Sequence, residues 1–249
     1  MKAMILAAGE GTRLLPLTLN QPKALVPFHG IPLLEILIRR LYRAGFGEII
    51  INVYHFKDQI IRFISDNNGF GARVVFSEEE NLLDTGGGIK RAVPLLGNEP
   101  VLFHNVDVIT NIDLEKFYRD HIAWKGIASL ATKERPSSRP LLIDEGEYLV
   151  GWENPDKRIR IVNRYFRKPY RLAAFSGLYV LDPSIFSLFP DEDVFSLTPW
   201  LLELTGKHKI RSWSHDENYW FDLGTAGNLK MAEEKILPVK DEPGSFVLR

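Results

Sequence analysis

Two hydrophobic periods alternate through the first half of the chain. Lys2–Leu6 is a short apolar run of the kind that forms a buried strand. Over 32–44, Leu33, Leu34, Leu37, Ile38 and Leu41 recur at helical spacing. Pro32 is admissible in a first helical turn, and Gly45 is a natural stop. The run EIIINV at 48–53 predicts a second strand. Residues 56–66 predict a second helix, with Ile60, Phe63 and Ile64 on one side. A third strand is expected at 72–77. A helix capped by Thr85 then runs through Ile89 and Ala92, before a fourth strand at 101–105 and a helix at 112–121. Alternation continues to residue 131. Such a pattern builds an α/β fold with a mostly parallel sheet and helices on both faces, whose ligands bind at the C-terminal strand ends.

The second half is less regular. Residues 137–161 mix Pro, Gly and charge clusters with short apolar runs, which predicts hairpins or an added lobe. A strand is expected at 175–181, a short helix at 185–189, and helices at 197–205 and 226–236. No internal repeat and no long linker divides the chain, so 1–249 reads as one domain.

Composition narrows the function classes. The 249 residues carry a net charge of −1, without the basic bias of a nucleic-acid binder. No segment approaches the ~20 apolar residues of a membrane span. The N-terminal apolar run is too short for a signal peptide and leads into a charged, Gly-rich turn, so a cytoplasmic location is expected. The absence of cysteine excludes disulfides, thiolate metal sites and cysteine catalysis.

The most informative segment is Leu6-Ala7-Ala8-Gly9-Glu10-Gly11-Thr12-Arg13-Leu14, directly after the first strand. Its small residues let a ligand approach the backbone, and successive N–H groups form an anion cradle. Arg13 adds a planar fork suited to phosphate oxygens, and Lys23 follows ten residues later. An ordinary βα turn would use the same glycines only for packing. The Rossmann fingerprint fails because Leu14 stands where a third small residue is needed. The Gly-Lys-Ser/Thr of a P-loop is absent. No acid closes the second strand, which also disfavours a dehydrogenase.

LAAGEGTRLLPLT followed by QPKALVPFHGIPLLE resembles the N-terminal signature of the sugar-1-phosphate nucleotidylyltransferases. The resemblance continues in DTGGGI, NVD, FSGLYVLD and WFDLGT, in the family's order. It implies a Rossmann-like fold of the nucleotide-diphospho-sugar transferase type. Residues 1–131 would then be the nucleotide-binding half and 132–249 the sugar-phosphate half. It also implies a reaction: an NTP and a sugar 1-phosphate give an NDP-sugar and pyrophosphate, with Mg²⁺. Short chains bearing TGGGI resemble the N-acetylmuramate-1-phosphate uridylyltransferases, with mannose- and heptose-1-phosphate guanylyltransferases as close relatives. UTP is the expected nucleotide.

Residue by residue, the resemblance implies that Leu6, Ala8, Gly9, Gly11 and Thr12 wrap the nucleotide. Arg13 and Lys23 would contact its phosphates, and Thr85 and Gly86 would lie against the base. Asp107 and Asp222 would bind Mg²⁺, which suits carboxylate, phosphate and water oxygens. Lys168, Ser176 and Gly177 would contact the sugar phosphate. Taken alone, Asp107 could cap a helix and Asp222 could be a turn residue. Two departures stand out: Val106 replaces the usual Gly before the first acid, and Arg167 replaces a common Glu on the acceptor side. Trp152, Tyr165, Phe166 and Tyr170 are candidate linings of the acceptor pocket. The rival readings are a non-catalytic nucleotide-sensing homologue and a CDP-alditol or terpenoid-type cytidylyltransferase. The sequence leaves the oligomeric state open.

Overall fold

The computed structural model describes residues 1–162, 169–240 and 242–248. Four parallel strands lie at its centre: β1 (Lys2–Leu6), β2 (Glu48–Val53), β3 (Arg73–Glu78) and β4 (Val101–Asn105). They are ordered β4-β1-β2-β3. Alternate side chains feed two cores, as strand geometry requires. Ala3, Ile5, Ile49, Ile51 and Leu102 pack on α1 (Leu33–Arg43), α2 (Lys57–Asp66) and α4 (Leu114–Trp124). Met4, Ile50, Val101 and Phe103 pack on α3 (Asp84–Leu96) and α5 (Leu197–Leu204). Burial on both faces explains why these strands read as continuous apolar runs.

The expected helix ends shift by a residue or two, as fraying ends usually do. One cap is corrected. Helix α3 starts at Asp84, and Thr85 lies inside its first turn. The Thr85 hydroxyl instead accepts from the Leu197 amide at 3.0 Å. The helix expected at 112–121 starts at 114, capped by Asp113, whose carboxylate accepts from the Lys116 amide. Asp107 therefore has no capping role there.

The second half extends the same sheet. After β5 (Val108–Thr110) and β6 (Ala128–Lys133), three antiparallel strands follow: β7 (Leu141–Asp144), β8 (Leu149–Asn154) and β9 (Ile159–Val162). The hairpins expected at 137–161 are thus present, as the sheet's edge. Strand β10 (Tyr170–Leu181) starts earlier than its apolar run suggests. Its first part pairs with β7, and its last part lies between β4 and β6. At Gly177 the backbone takes φ 78°, where β10 shifts register. Strand β11 (Ile210–Ser214) adds to β6, and β12 (Trp220–Asp222) pairs with β5. Helix α6 (Ala226–Lys235) ends in a small hairpin of β13 (Ile236–Pro238) and β14 (Phe246–Leu248). Among the described residues, no helix is long and apolar enough to cross a membrane.

Three buried histidines carry a pH signature. His104 and His121 are enclosed by the sheet and α4, and His215 follows β11. Burial lowers their pKa values to about 3, about 4 and about 4. In the unfolded chain they titrate near 6.5. Between pH 6.5 and 4 the unfolded state therefore binds more protons, so stability falls as pH falls. Each ring contributes a slope of up to about 1.4 kcal/mol per pH unit. Melting temperature should drop steeply from pH 7 to 4.5, and His121→Gln should flatten that slope. An unchanged slope would remove His121 from the effect.

Candidate active site

A small third core explains how distant segments meet. Leu14, beside Arg13, is fully buried with Val26, Phe28, Ile109, Phe221, Leu223 and Leu229. One cluster therefore anchors the loop after β1, the Lys23 segment, β5 and the turn after β12. Burying a leucine such as Leu14 or Leu223 contributes ~2 kcal/mol each. Gly11 adopts φ 69°, and a Cβ there would press on Lys23 Cβ and Thr18 Cγ2, both 3.0 Å away. Its carbonyl accepts from the Thr18 hydroxyl at 2.9 Å. Gly11 thus lets the Lys23 segment close against the loop, while Thr12 opens a 3-10 turn at 12–14.

The four charged residues singled out from the sequence converge. Lys23 Nζ forms an ion pair with Asp107 Oδ2, and both side chains are mostly buried. The strand pair β5–β12 sets Asp222 opposite Val108, next to Asp107. The Leu223 amide donates to the Asp107 carbonyl at 2.7 Å, which locks the two turns together. Asp222 Oδ1 accepts from the Gly224 amide at 2.7 Å. A Cβ at Gly224 would stand 2.7 Å from Asp222 Oδ1, 2.8 Å from an Arg13 Nη and 3.1 Å from Asp107 Oδ2. Two acids and an arginine thus face one point. Among the described residues, no group of three or more His, Cys, Asp or Glu side chains could hold a metal. Two carboxylates leave coordination positions for phosphate and water oxygens, which fits Mg²⁺.

Beside this point opens a cleft of about 580 Å³, lined by Leu6, Ala8, Gly9, Lys23, Asn52, Leu82, Asp84, Thr85, Asn105, Val106, Asp107 and Val194. A Cβ on Gly9 would meet nothing within 4 Å, so packing within the protein does not demand glycine there. Gly86 is different. It is not on the cleft wall, and its amide donates to the Phe195 carbonyl at 2.9 Å. A Cβ on Gly86 or Gly87 would collide with the 193–195 backbone or the Phe195 ring. The glycine run is therefore where segment 190–197 docks, and that segment places Val194 on the cleft wall.

Of the residues expected to contact the acceptor, Ser176 is buried, with its hydroxyl bonded to His215 Nε2 at 2.7 Å. Its carbonyl accepts from Trp220 Nε1 at 2.8 Å. A Cβ on Gly177 would meet Asn105 Nδ2 and Val108 Cγ2 at 3.0 Å, which packs β10 against the Asp107 turn. Lys168, Arg167, Tyr165 and Phe166 lie outside the described residues. Trp152 lines a separate groove with Leu141, Ile161 and α5. Tyr170 carries Arg160 over its ring at 4.6 Å. Neither Trp152 nor Tyr170 borders the 580 Å³ cleft.

Sequence reasoning missed the buried relay that joins the cleft's two sides. Asn52 accepts from the Ala7 amide and donates to Glu79, each at 2.7 Å. Glu79 also accepts from the Leu83 amide at 3.2 Å. Burial raises the Glu79 pKa, and the Asn52 hydrogen bond partly offsets this. The only sequence signal was a polar Asn within an apolar strand. Arg135 was also missed. It sits in an irregular polar stretch and becomes visible only because it stacks on Trp220 at 3.7 Å.

The chain is 34% identical over 241 residues to an N-acetylmuramate alpha-1-phosphate uridylyltransferase of Neisseria meningitidis, covering 94% of this chain and 97% of that protein. It is 31% identical to a mannose-1-phosphate guanyltransferase of Pichia angusta, covering 90% of this chain but 61% of that longer protein. Among solved structures it resembles HddC from Yersinia pseudotuberculosis complexed with GMP-PN, with a TM-score of 0.74 and 25% identity over 94% of this chain and 98% of that one. Residues 2–238 match the model of the nucleotidyl transferase family, and the chain belongs to that family.

Proposed function

We propose that the protein transfers a nucleotidyl group from an NTP to a sugar 1-phosphate and releases pyrophosphate. The observation that carries this reading is the meeting of Arg13, Lys23, Asp107 and Asp222 at the mouth of the cleft. The nucleotide lies along Leu6, Ala8 and Gly9, with its polyphosphate toward Arg13 and Lys23. Thr85 and the Leu82 and Val194 walls border the base. Asp107 and Asp222 would hold Mg²⁺, which would neutralise phosphate charge and orient the α-phosphate. Residues 1–131 supply most of the nucleotide side, and 132–249 supply the acceptor side and the second acid. Because the substrate is a cellular NTP, the working location is the cytoplasm.

A phosphate oxygen of the sugar 1-phosphate attacks the α-phosphorus in line. The bond from that phosphorus to its β-bridging oxygen breaks, and pyrophosphate takes the electron pair. No general base is needed, because the attacking phosphate monoester has its second pKa near ~6. Positioning and charge neutralisation supply the catalysis. In the free protein Lys23 neutralises Asp107. With substrate bound, Lys23 turns to the phosphate oxygens.

We favour UTP and N-acetylmuramate 1-phosphate, because the 34% identity runs over nearly the whole Neisseria enzyme. A guanylyl reading rests on the Pichia enzyme and on the GMP-PN bound to HddC. Pyrophosphate release, measured over UTP, GTP and CTP against several sugar 1-phosphates with Mg²⁺, separates them. Release with no pair would leave a nucleotide-sensing protein instead. In the productive pair, Arg13→Ala should lower kcat/KM for the NTP by about 10- to 100-fold, the scale of one charged hydrogen-bond contact. Unchanged kinetics would remove Arg13 from the phosphate site.

A further inference from the structure

The mechanism leaves one half-buried cation on the acceptor side without a task. Arg135 follows β6, and its guanidinium lies flat over the Trp220 ring, 3.7 Å from its centroid. Nη2 donates to the Phe175 carbonyl at 2.8 Å, one residue before Ser176. Nη1 reaches only its neighbour's carbonyl on Pro136, at 3.4 Å. Nε is buried and has no partner. Among the described residues, no carboxylate lies within ion-pair distance of Arg135. Nearby cations differ in having a carboxylate or carbonyl partner. Arg171 pairs with Glu147 and faces Glu134, and Lys133 is bonded to the Asp216 carbonyl.

An uncompensated, partly buried charge is unfavourable, and a ligand anion would relieve it. Burial lowers the Arg135 pKa, with the field of Asp222 opposing that shift. Position indicates which anion. Trp220 and Asp222 are two residues apart on β12, so their side chains leave the same face from Cα atoms about 6.6 Å apart. The phosphate chemistry is set at Asp222, Asp107 and Arg13. An anion at Arg135 would therefore lie on the same face of β12 as the reacting phosphate.

We propose that Arg135, held on Trp220 and the Phe175 carbonyl, is a specificity residue that binds a carboxylate carried on the acceptor sugar, distinct from its 1-phosphate. This rests on the acceptor reading above. A planar guanidinium suits a carboxylate, and lysine would not reproduce its fork.

The test compares N-acetylmuramate 1-phosphate, which carries a lactyl carboxylate, with N-acetylglucosamine 1-phosphate, which does not. Binding is measured by calorimetry on the full chain, with wild type, Arg135→Gln and Arg135→Lys. The wild type should bind the carboxylate-bearing sugar about 30-fold more tightly, the scale of one charged hydrogen-bond pair. Arg135→Gln should erase that preference while leaving affinity for the other sugar and for the NTP unchanged. Arg135→Lys should restore it only in part. Equal affinity of the wild type for both sugars, or an equal loss for both in Arg135→Gln, would overturn the proposal. Pyrophosphate release from the same samples keeps the two readings apart. A carboxylate preference without turnover of any NTP sinks the transferase reading, whereas turnover without that preference sinks only the role of Arg135.

Discussion

Asp222→Asn and Asp107→Asn should each lower kcat roughly a thousandfold, the scale seen when transition-state charge loses a fixed partner. The two substitutions should differ in the resting protein. Among the described residues, Asp222 has no lysine partner, and its Oδ1 accepts from the Gly224 amide, a bond that an Asn oxygen can also accept. The melting temperature of Asp222→Asn should therefore stay near that of the wild type. Asp107→Asn removes the anion beside mostly buried Lys23. Breaking one member of such a pair leaves an uncompensated charge, so this variant should lose both stability and turnover. Adding Lys23→Met to Asp107→Asn should recover much of the stability and none of the activity. Turnover near wild type in either single variant would refute the assignment of the acids.

Gly87→Ala should destabilise the protein by about 1–3 kcal/mol, the usual range for overpacking. Its new Cβ would run into the Asp193 carbonyl, which is backbone and cannot swing aside. Segment 190–197 would have to lift, and with it Val194 on the cleft wall. The KM for the NTP should therefore rise along with the loss of stability. Lys90 makes this segment resist displacement, because its Nζ bonds the carbonyls of Pro190, Asp191 and Glu192. Gly9→Ala is the matching control. Its Cβ would enter open space, so melting temperature should not change. Nucleotide affinity should nevertheless fall, because the methyl group stands where the ligand's backbone approach is expected. Thermal melts and NTP kinetics on both variants check this contrast. Full affinity in Gly9→Ala would show that the loop does not wrap the nucleotide closely.

The local signals were legible because their causes are local. Apolar periodicity located β1, β2, β4, α1 and α2 to within a residue or two, since each buries a continuous run or a helical stripe. The spacing from the Gly-rich loop to Lys23 held enough information to bring both to one site. Their common anchor, Leu14 with Val26 and Phe28, lies within the same stretch of chain. Strands β6 and β11 were less visible. Their partners come from β10 and from each other, far along the chain. Thr85 shows the same limit: sequence offered it as a helix cap, but a docked segment over a hundred residues later claimed its hydroxyl.

The sequence by itself determined the parallel sheet, and it singled out the Gly-rich loop and the two acids and two cations that the fold brings together. Those features depend on residue type and short-range order, which a one-dimensional chain displays directly. Tertiary structure alone decided that Gly86 and Gly87 seat a distant segment, that Asn52 and Glu79 tie the cleft's sides together, and that Arg135 lies on Trp220. Each of these is a contact between residues 27 to 109 positions apart. Such contacts form only when hydrophobic burial closes the intervening chain, and no local preference announces which partners that closure will bring together.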